Sequence, residues 1–232
     1  MVSFEEMILV FAFLIAFSII SYKKKLLNNE GIIIANAIGI AAILYGPNRL
    51  SNFIVVVVFF IIAEIASTFP IKKHEARSIR NLVGNALPAL LMLFMINFFP
   101  DNPHLFELAF FGAIAAALAD TLASEIGYYS KKTPILITTL EKVKPGIDGG
   151  ITLLGESAAL MGGIAIALIH FFVYRNLPLF FIIILAGLFG TNIDSLFGAT
   201  YERKKIIGNT TVNFIGSISG ALFTIIFGFF LL

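Results

Sequence analysis

Asp120, Glu125 and Asp194 are the residues from which chemistry is most readily built. Asp120 opens the string Asp120-Thr-Leu-Ala-Ser-Glu125 at the end of one long apolar run. Asp194 opens Asp194-Ser-Leu-Phe-Gly-Ala199 at the end of another. An ionisable side chain at a membrane boundary is costly to place, so these acids mark a functional site by default. Two carboxylates at the ends of different helices suit a hard cation such as Mg²⁺, which completes its oxygen shell with substrate phosphates and water. An acid near a helix C-terminus also faces the negative end of the helix dipole and calls for a compensating cation. Pairing of each Asp with a nearby Lys is the competing reading.

The stretch between the acids adds a second kind of chemistry. A basic, Thr-rich loop runs from Lys131 to Lys144 and closes with Pro145-Gly-Ile-Asp-Gly-Gly150 and then Gly155-Glu156. Glycines let a backbone turn its amides toward an anion. Here that backbone leads into a helix N-terminus, which favours phosphate. No Gly-Lys-Ser/Thr follows, so the loop is not a Walker A motif. The segments after Asp120 and Asp194 resemble each other, and each reaches a Lys eleven residues on, Lys131 and Lys205. A weak internal repeat of helix pairs and chance likeness of two membrane boundaries both account for this.

The elements that must hold these residues are membrane helices. The chain is 59% hydrophobic and 13% charged, with a mean hydropathy of +0.96. A soluble domain carries about 25% charged residues. The apolar runs are continuous rather than alternating, which predicts helices and not a barrel. Eight runs are legible: Phe4–Tyr22, Glu30–Tyr45, Leu50–Ala66, Leu82–Phe99, Leu105–Ala123, Ile151–Tyr174, Pro178–Leu196 and Thr210–Leu232. Each lies near the ~20 residues needed to cross the hydrocarbon core, the second being short. They predict an all-α polytopic membrane protein, one integral membrane domain over residues 1–232. The first run is expected to be a span and not a cleaved signal, since Glu5 and Glu6 precede it and lysines follow.

Charge supplies the orientation. With eight spans and both termini outside, 14 of the 16 Lys and Arg fall in cytoplasmic loops; Arg49 and Arg175 do not. A missed or extra helix would scramble that alternation. The expected site therefore faces the cytoplasm, in a multi-pass protein of the cell membrane. The basic segment Ile71–Gly84 reads either as an interfacial helix or as an ordinary positive-inside loop. In the eighth run Thr210, Asn213, Ser217 and Gly220 share one helical face. Asn213 there, and Asn85 in the fourth run, also read as interhelical hydrogen-bonding residues, and Gly162 and Gly163 as packing positions. Cys is absent, which excludes thiol catalysis and disulfides. His104 and His170 lie toward the outer side and His74 in a loop, so no His cluster suggests zinc.

Asp120-Thr-Leu-Ala-Ser-Glu-Ile-Gly127, the Thr138-Thr139 pair, Gly146-Ile-Asp-Gly-Gly150 with Gly155-Glu156, and Asp194-Ser-Leu-Phe-Gly-Ala199 together resemble the membrane family that contains phytyl-phosphate kinase and transmembrane protein 19. The resemblance runs from about Arg77 to the C-terminus. That family is distantly similar to phytol and dolichol kinases and CDP-lipid synthases, which use CTP and Mg²⁺ on lipids at the cytoplasmic face. The implied protein is an enzyme, a phosphotransferase passing a phosphoryl group from CTP to a polyisoprenyl monophosphate. Joined to the residue reading, this makes Asp120, Glu125 and Asp194 catalytic and metal-holding. Lys131, Lys142, Lys144, Gly146, Asp148, Gly149, Gly150 and Glu156 would bind the nucleotide. Arg77, Arg80, Asn85 and Asn213 would meet the isoprenoid phosphate. Expected partners are membrane lipids, that substrate, a nucleotide and a second copy of the chain, with no nucleic acid. The alternatives are a transporter or flippase of lipid phosphates and a cytidylyltransferase forming a CDP-lipid.

Overall fold

A computed structural model describes residues 4–24, 26–67 and 79–232. Among the described residues there are eight α-helices: α1 (Phe4–Lys24), α2 (Asn29–Leu44), α3 (Arg49–Ser67), α4 (Ile79–Met95), α5 (Pro103–Gly127), α6 (Leu153–Tyr174), α7 (Leu177–Phe197) and α8 (Asn209–Gly228). Two short antiparallel strands, β1 (Ile135–Leu136) and β2 (Gly150–Ile151), sit in the α5–α6 connection. A π-helical turn, Gly198–Glu202, extends α7. All eight expected segments are helices in a polytopic membrane protein. Six of them, with α7 counted through its π turn as Leu177–Glu202, are long and apolar enough to cross a bilayer. The other two are shorter, α2 with 16 residues and α4 with 17. At 1.5 Å per residue they reach only about 24 and 26 Å against a hydrocarbon core of ~30 Å. Residues 71–78 of the basic segment lie outside the described residues, and from Ile79 onward that segment is the first part of α4.

Local sequence sets the helix boundaries. The Thr152 side chain caps α6 by accepting from Gly155 N at 3.0 Å. Asn28 does the same for α2 from Gly31 N at 2.8 Å, and Asn176 for α7 from Leu179 N at 3.1 Å. Such caps satisfy amides that the helix itself leaves open.

The hub is α5, which packs against α3, α4, α6, α7 and α8. Its run Phe110-Phe111-Gly-Ala-Ile-Ala-Ala-Ala-Leu-Ala119 is buried throughout. Between helices in lipid the hydrophobic effect contributes little, and association rests on close packing, which small residues allow. Gly162 and Gly163 act in this way: a Cβ on Gly162 would lie 3.1 Å from the Ala119 backbone, and one on Gly163 3.1 Å from the Ile184 carbonyl oxygen.

One end of the bundle is fastened by a buried carboxylate. Glu107, only 1% exposed, accepts from Asn48 N at 2.8 Å and Asn52 Nδ2 at 2.9 Å on one oxygen. Tyr174 donates its hydroxyl to the other. Three elements thereby converge on α5: the α2–α3 loop, α3 and the end of α6. His104 and His170 flank Tyr174 at this same end.

Tyr174→Phe leaves one buried oxygen of Glu107 without its donor, which costs about 1–3 kcal/mol; thermal unfolding in detergent should show a lowered Tm. In this cysteine-free chain, single cysteines at Lys24, Lys142 and Lys204 should all be shielded from an impermeant thiol reagent outside intact cells. Labelling of any one would break the proposed orientation.

Candidate active site

At the end opposite Glu107, a cavity of about 720 Å³ opens where the helix ends converge. Its lining comes from α3 (Ser67), α4 (Asn85), α5 (Asp120, Glu125), α6 (Glu156), α7 (Asp194), the π turn (Glu202) and α8 (Asn213), with the Pro145–Ile151 loop alongside. Of the residues named from sequence, Asp120, Glu125, Asp194, Gly146, Asp148, Gly149, Gly150, Glu156, Asn85 and Asn213 are brought together here.

Asp120 and Asp194 are drawn together by their helices. A Cβ on Gly190 of α7 would lie 2.4 Å from the Ala116 Cβ of α5, so α5 and α7 touch at this level. One helical turn further along each chain stand Asp194 and Asp120, and their carboxyl groups meet within hydrogen-bonding range. Two carboxyl groups this close cannot both hold an unscreened negative charge; a proton or a cation must lie between them. Thr191 Oγ1 donates to Asp120 Oδ1 at 3.5 Å. Asn213, with its amide oriented to satisfy both ends, donates to Asp194 Oδ2 at 3.3 Å and to the Asn209 carbonyl oxygen at 3.1 Å. Gly216 backs Asp194 closely, its notional Cβ 3.0 Å from the Asp194 Cβ. Glu156 accepts from Asn192 Nδ2 at 3.1 Å.

The helix containing Asp120 continues to Gly127, so Asp120 is not in its last turn as the apolar run suggests. The helix dipole acts mainly within the final turn, so at Asp120 it is the partner carboxyl, not the dipole, that calls for a proton or a cation. Glu125 lies inside α5 rather than beyond it.

The Gly-rich loop forms one wall. Its two strands pair Ile135 with Ile151 and Leu136 with Gly150, and Ile137 N donates to Gly149 O at 3.0 Å. Gly149 has φ +76°, and a Cβ there would lie 2.4 Å from the Ala199 Cβ. Only glycine combines that backbone angle with so close a seat on the π turn. Single π turns inside helices are frequent at functional sites. This one seats the loop and carries Glu202 into the cavity.

The lysines are placed differently from the acids. Lys131, Lys142 and Lys144 are exposed and do not line the cavity. Lys144 directly precedes the lining residue Pro145. Arg77 lies outside the described residues, and Arg80 lies in the first turn of α4, where only the backbone is described. The described lining thus holds Asp120, Glu125, Asp148, Glu156, Asp194 and Glu202 and no Lys or Arg. No three His, Asp or Glu side chains among the described residues form a ready metal-holding group. The donor set therefore offers a cation two adjoining carboxyl groups, which fits Mg²⁺, an ion that keeps water and substrate phosphate in the rest of its shell.

Thr191, Asn192 and Glu202 are site residues that the sequence reading passed over. Thr191 stands three residues before Asp194, a spacing that puts both on one helical face. Glu202 would have been found by letting α7 run past Leu196.

Eight helices with an acid-lined cavity at one end define a polytopic membrane protein with a polar site set among its helix ends. Residues 12–221 match the profile of the integral membrane protein family DUF92, and the chain belongs to that family. An uncharacterised membrane protein of Methanocaldococcus jannaschii is 32% identical over 86% of this chain and 85% of its own length. One from Synechocystis is 31% identical over 92% and 87%. The chloroplast protein VTE6 of Arabidopsis thaliana is 25% identical over 78% of this chain and 60% of its own length. These bear out the family resemblance of the Asp120, Gly146 and Asp194 motifs. No solved structure matches the chain.

Gly149→Ala should loosen the loop from the π turn, because both the added methyl and the left-handed backbone oppose it. Trypsin should then cut after Lys142 faster than in the wild type. Gly208→Ala, at a glycine with nothing within 4 Å of a notional Cβ, should leave the cutting rate unchanged.

Proposed function

We propose that this protein is a Mg²⁺- and CTP-dependent kinase that converts a polyisoprenyl monophosphate, of phytyl or geranylgeranyl type, to the diphosphate at the cytoplasmic face of the membrane. The observation that carries the reading is the pair of adjoining carboxyl groups, Asp120 and Asp194, beside a Gly-rich loop in a cavity at the helix ends of a membrane domain. Family membership and the resemblance to the family that contains phytyl-phosphate kinase support that substrate class.

The charge of the cavity supports a role for divalent ions. Six carboxyl-bearing side chains and no described Lys or Arg line it, so a triphosphate can enter only together with cations. Asp120 and Asp194 would hold Mg²⁺, with Glu125 at the same wall, and the ion when bound would neutralise phosphate charge. Gly146 and Gly149 turn at positive φ; Ile147 N and Gly150 N donate within the loop, and the amides of Gly146, Asp148 and Gly149 would be the ones offered to phosphate oxygens. Lys142 and Lys144, exposed beside the loop, would draw the nucleotide toward the cavity and pair with phosphates that protrude from it. Asn85 would supply a neutral hydrogen bond to the acceptor, and Asn213 would act through the Asp194 carboxyl group that it bonds.

In the reaction an oxygen of the lipid monophosphate attacks the γ-phosphorus of CTP, a new P–O bond forms, and CDP leaves with the electrons of the broken bond. A phosphate oxygen is already nucleophilic, so positioning and charge neutralisation are the main demands on the protein.

The test uses purified protein, γ-labelled CTP, Mg²⁺ and geranylgeranyl or phytyl monophosphate. Label is expected in the lipid diphosphate. Unlabelled CDP-lipid with released pyrophosphate would establish a cytidylyltransferase instead. No transfer to any isoprenoid phosphate, with lipid movement in sealed vesicles, would establish a transporter. Asp120→Asn should lower turnover by about two to three orders of magnitude while the protein still folds, since loss of such charge stabilisation costs about 3–4 kcal/mol.

A further inference from the structure

We propose that Thr191 is a positioning residue that sets the Asp120 carboxyl group for cation binding. The inference rests on the cation reading of Asp120 and Asp194 and assigns a role to a side chain that lies behind the cavity lining.

The argument starts from what hydroxyls ordinarily do in membrane helices. With no water available, Ser and Thr give their proton back to the carbonyl four residues earlier. This chain follows that habit repeatedly. Ser18 donates to Leu14 O, Ser67 to Ala63 O, Thr121 to Ala117 O, Ser157 to Leu153 O and Ser219 to Ile215 O, all at 2.7–2.9 Å. Thr191 departs from it. Its hydroxyl is turned from α7 toward α5 and makes a long hydrogen bond to Asp120 Oδ1, 3.5 Å, and the residue is 2% exposed. Only the close approach of Gly190 to Ala116 lets so short a side chain reach across.

The consequence is geometric. A carboxyl group on a single Cβ can rotate about its Cα–Cβ and Cβ–Cγ bonds. The bond from Thr191 ties down Oδ1 of Asp120, while Asn213 ties down Oδ2 of Asp194. Each acid then presents its other oxygen in a fixed direction. Partners of this kind orient the groups that hold a metal, and their loss typically weakens metal affinity by about 10- to 100-fold.

The test is direct binding of Mn²⁺ to the purified full chain in detergent, read from the electron paramagnetic resonance of free Mn²⁺ without nucleotide or lipid. Thr191→Val keeps the shape and removes the hydroxyl; Thr191→Ser keeps the hydroxyl and removes the methyl. The valine variant should bind Mn²⁺ about tenfold more weakly at an unchanged melting temperature, and the serine variant should bind as the wild type does. Should the valine variant fail to fold, Thr191→Ala replaces it in the comparison with serine. Equal binding by all variants would overturn the proposal, as would equal weakening by serine and valine, which would assign the effect to packing. A wild type that binds no Mn²⁺ would overturn the cation reading itself. A wild type that binds Mn²⁺ through Thr191 yet transfers no phosphate would leave this inference standing and remove the kinase.

Discussion

The structure depends on the contact between Ala116 and Gly190. Where α5 and α7 touch there, no side chain longer than a methyl group fits between them. One turn further on, the same closeness brings two acids together. A larger residue at position 190 would press on Ala116 of α5 and, 2.7 Å from its Cβ, on the Gly216 carbonyl oxygen of α8, wedging apart the helices that carry Asp120, Asp194 and Asn213. In a lipid setting, where burial of hydrocarbon does little to hold helices together, such a small-residue contact is itself the cohesive element. The packing motif and the polar site are therefore one feature read at two heights.

Other parts of the molecule are arranged around that contact. The small residues of α5 let helices crowd its surface, so that α6, α7 and α8 deliver Glu156, Asp194 and Asn213 to the same cavity. The π turn after α7 shifts the helical register just beyond the acids. It seats Gly149 against Ala199 and brings Glu202 in from a residue that would otherwise follow the α-helical path. The Gly-rich loop is thus positioned by the helix carrying Asp194, while its own strands lie between α5 and α6.

Much of this was legible in the sequence because the bilayer imposes simple rules. Apolar length marked every helix, and the paired acids and the glycine loop marked the cavity. What was not legible has identifiable causes. Asp120 looked terminal because the apolar run fades near Ala123, whereas backbone hydrogen bonding carries α5 on to Gly127 through polar residues. Lys131, Lys142 and Lys144 looked like cavity residues by proximity in sequence, but the α5–α6 connection leaves all three exposed and outside the cavity lining, where their charge stays hydrated. Glu107 drew no attention because its partners, Asn48, Asn52 and Tyr174, come from separate segments; nothing local announces a carboxylate satisfied at long range. Thr191 was hidden for a simpler reason, since a threonine in an apolar helix ordinarily bonds its own backbone.

The Glu107 fastening has a mechanical meaning. Glu107 joins the α2–α3 loop, α3 and α6 to α5 at one level, and the Ala116–Gly190 contact joins α7 to α5 near the other. A beam clamped at two stations resists bending between them, so α5 is the fixed spine against which the walls of the cavity are set.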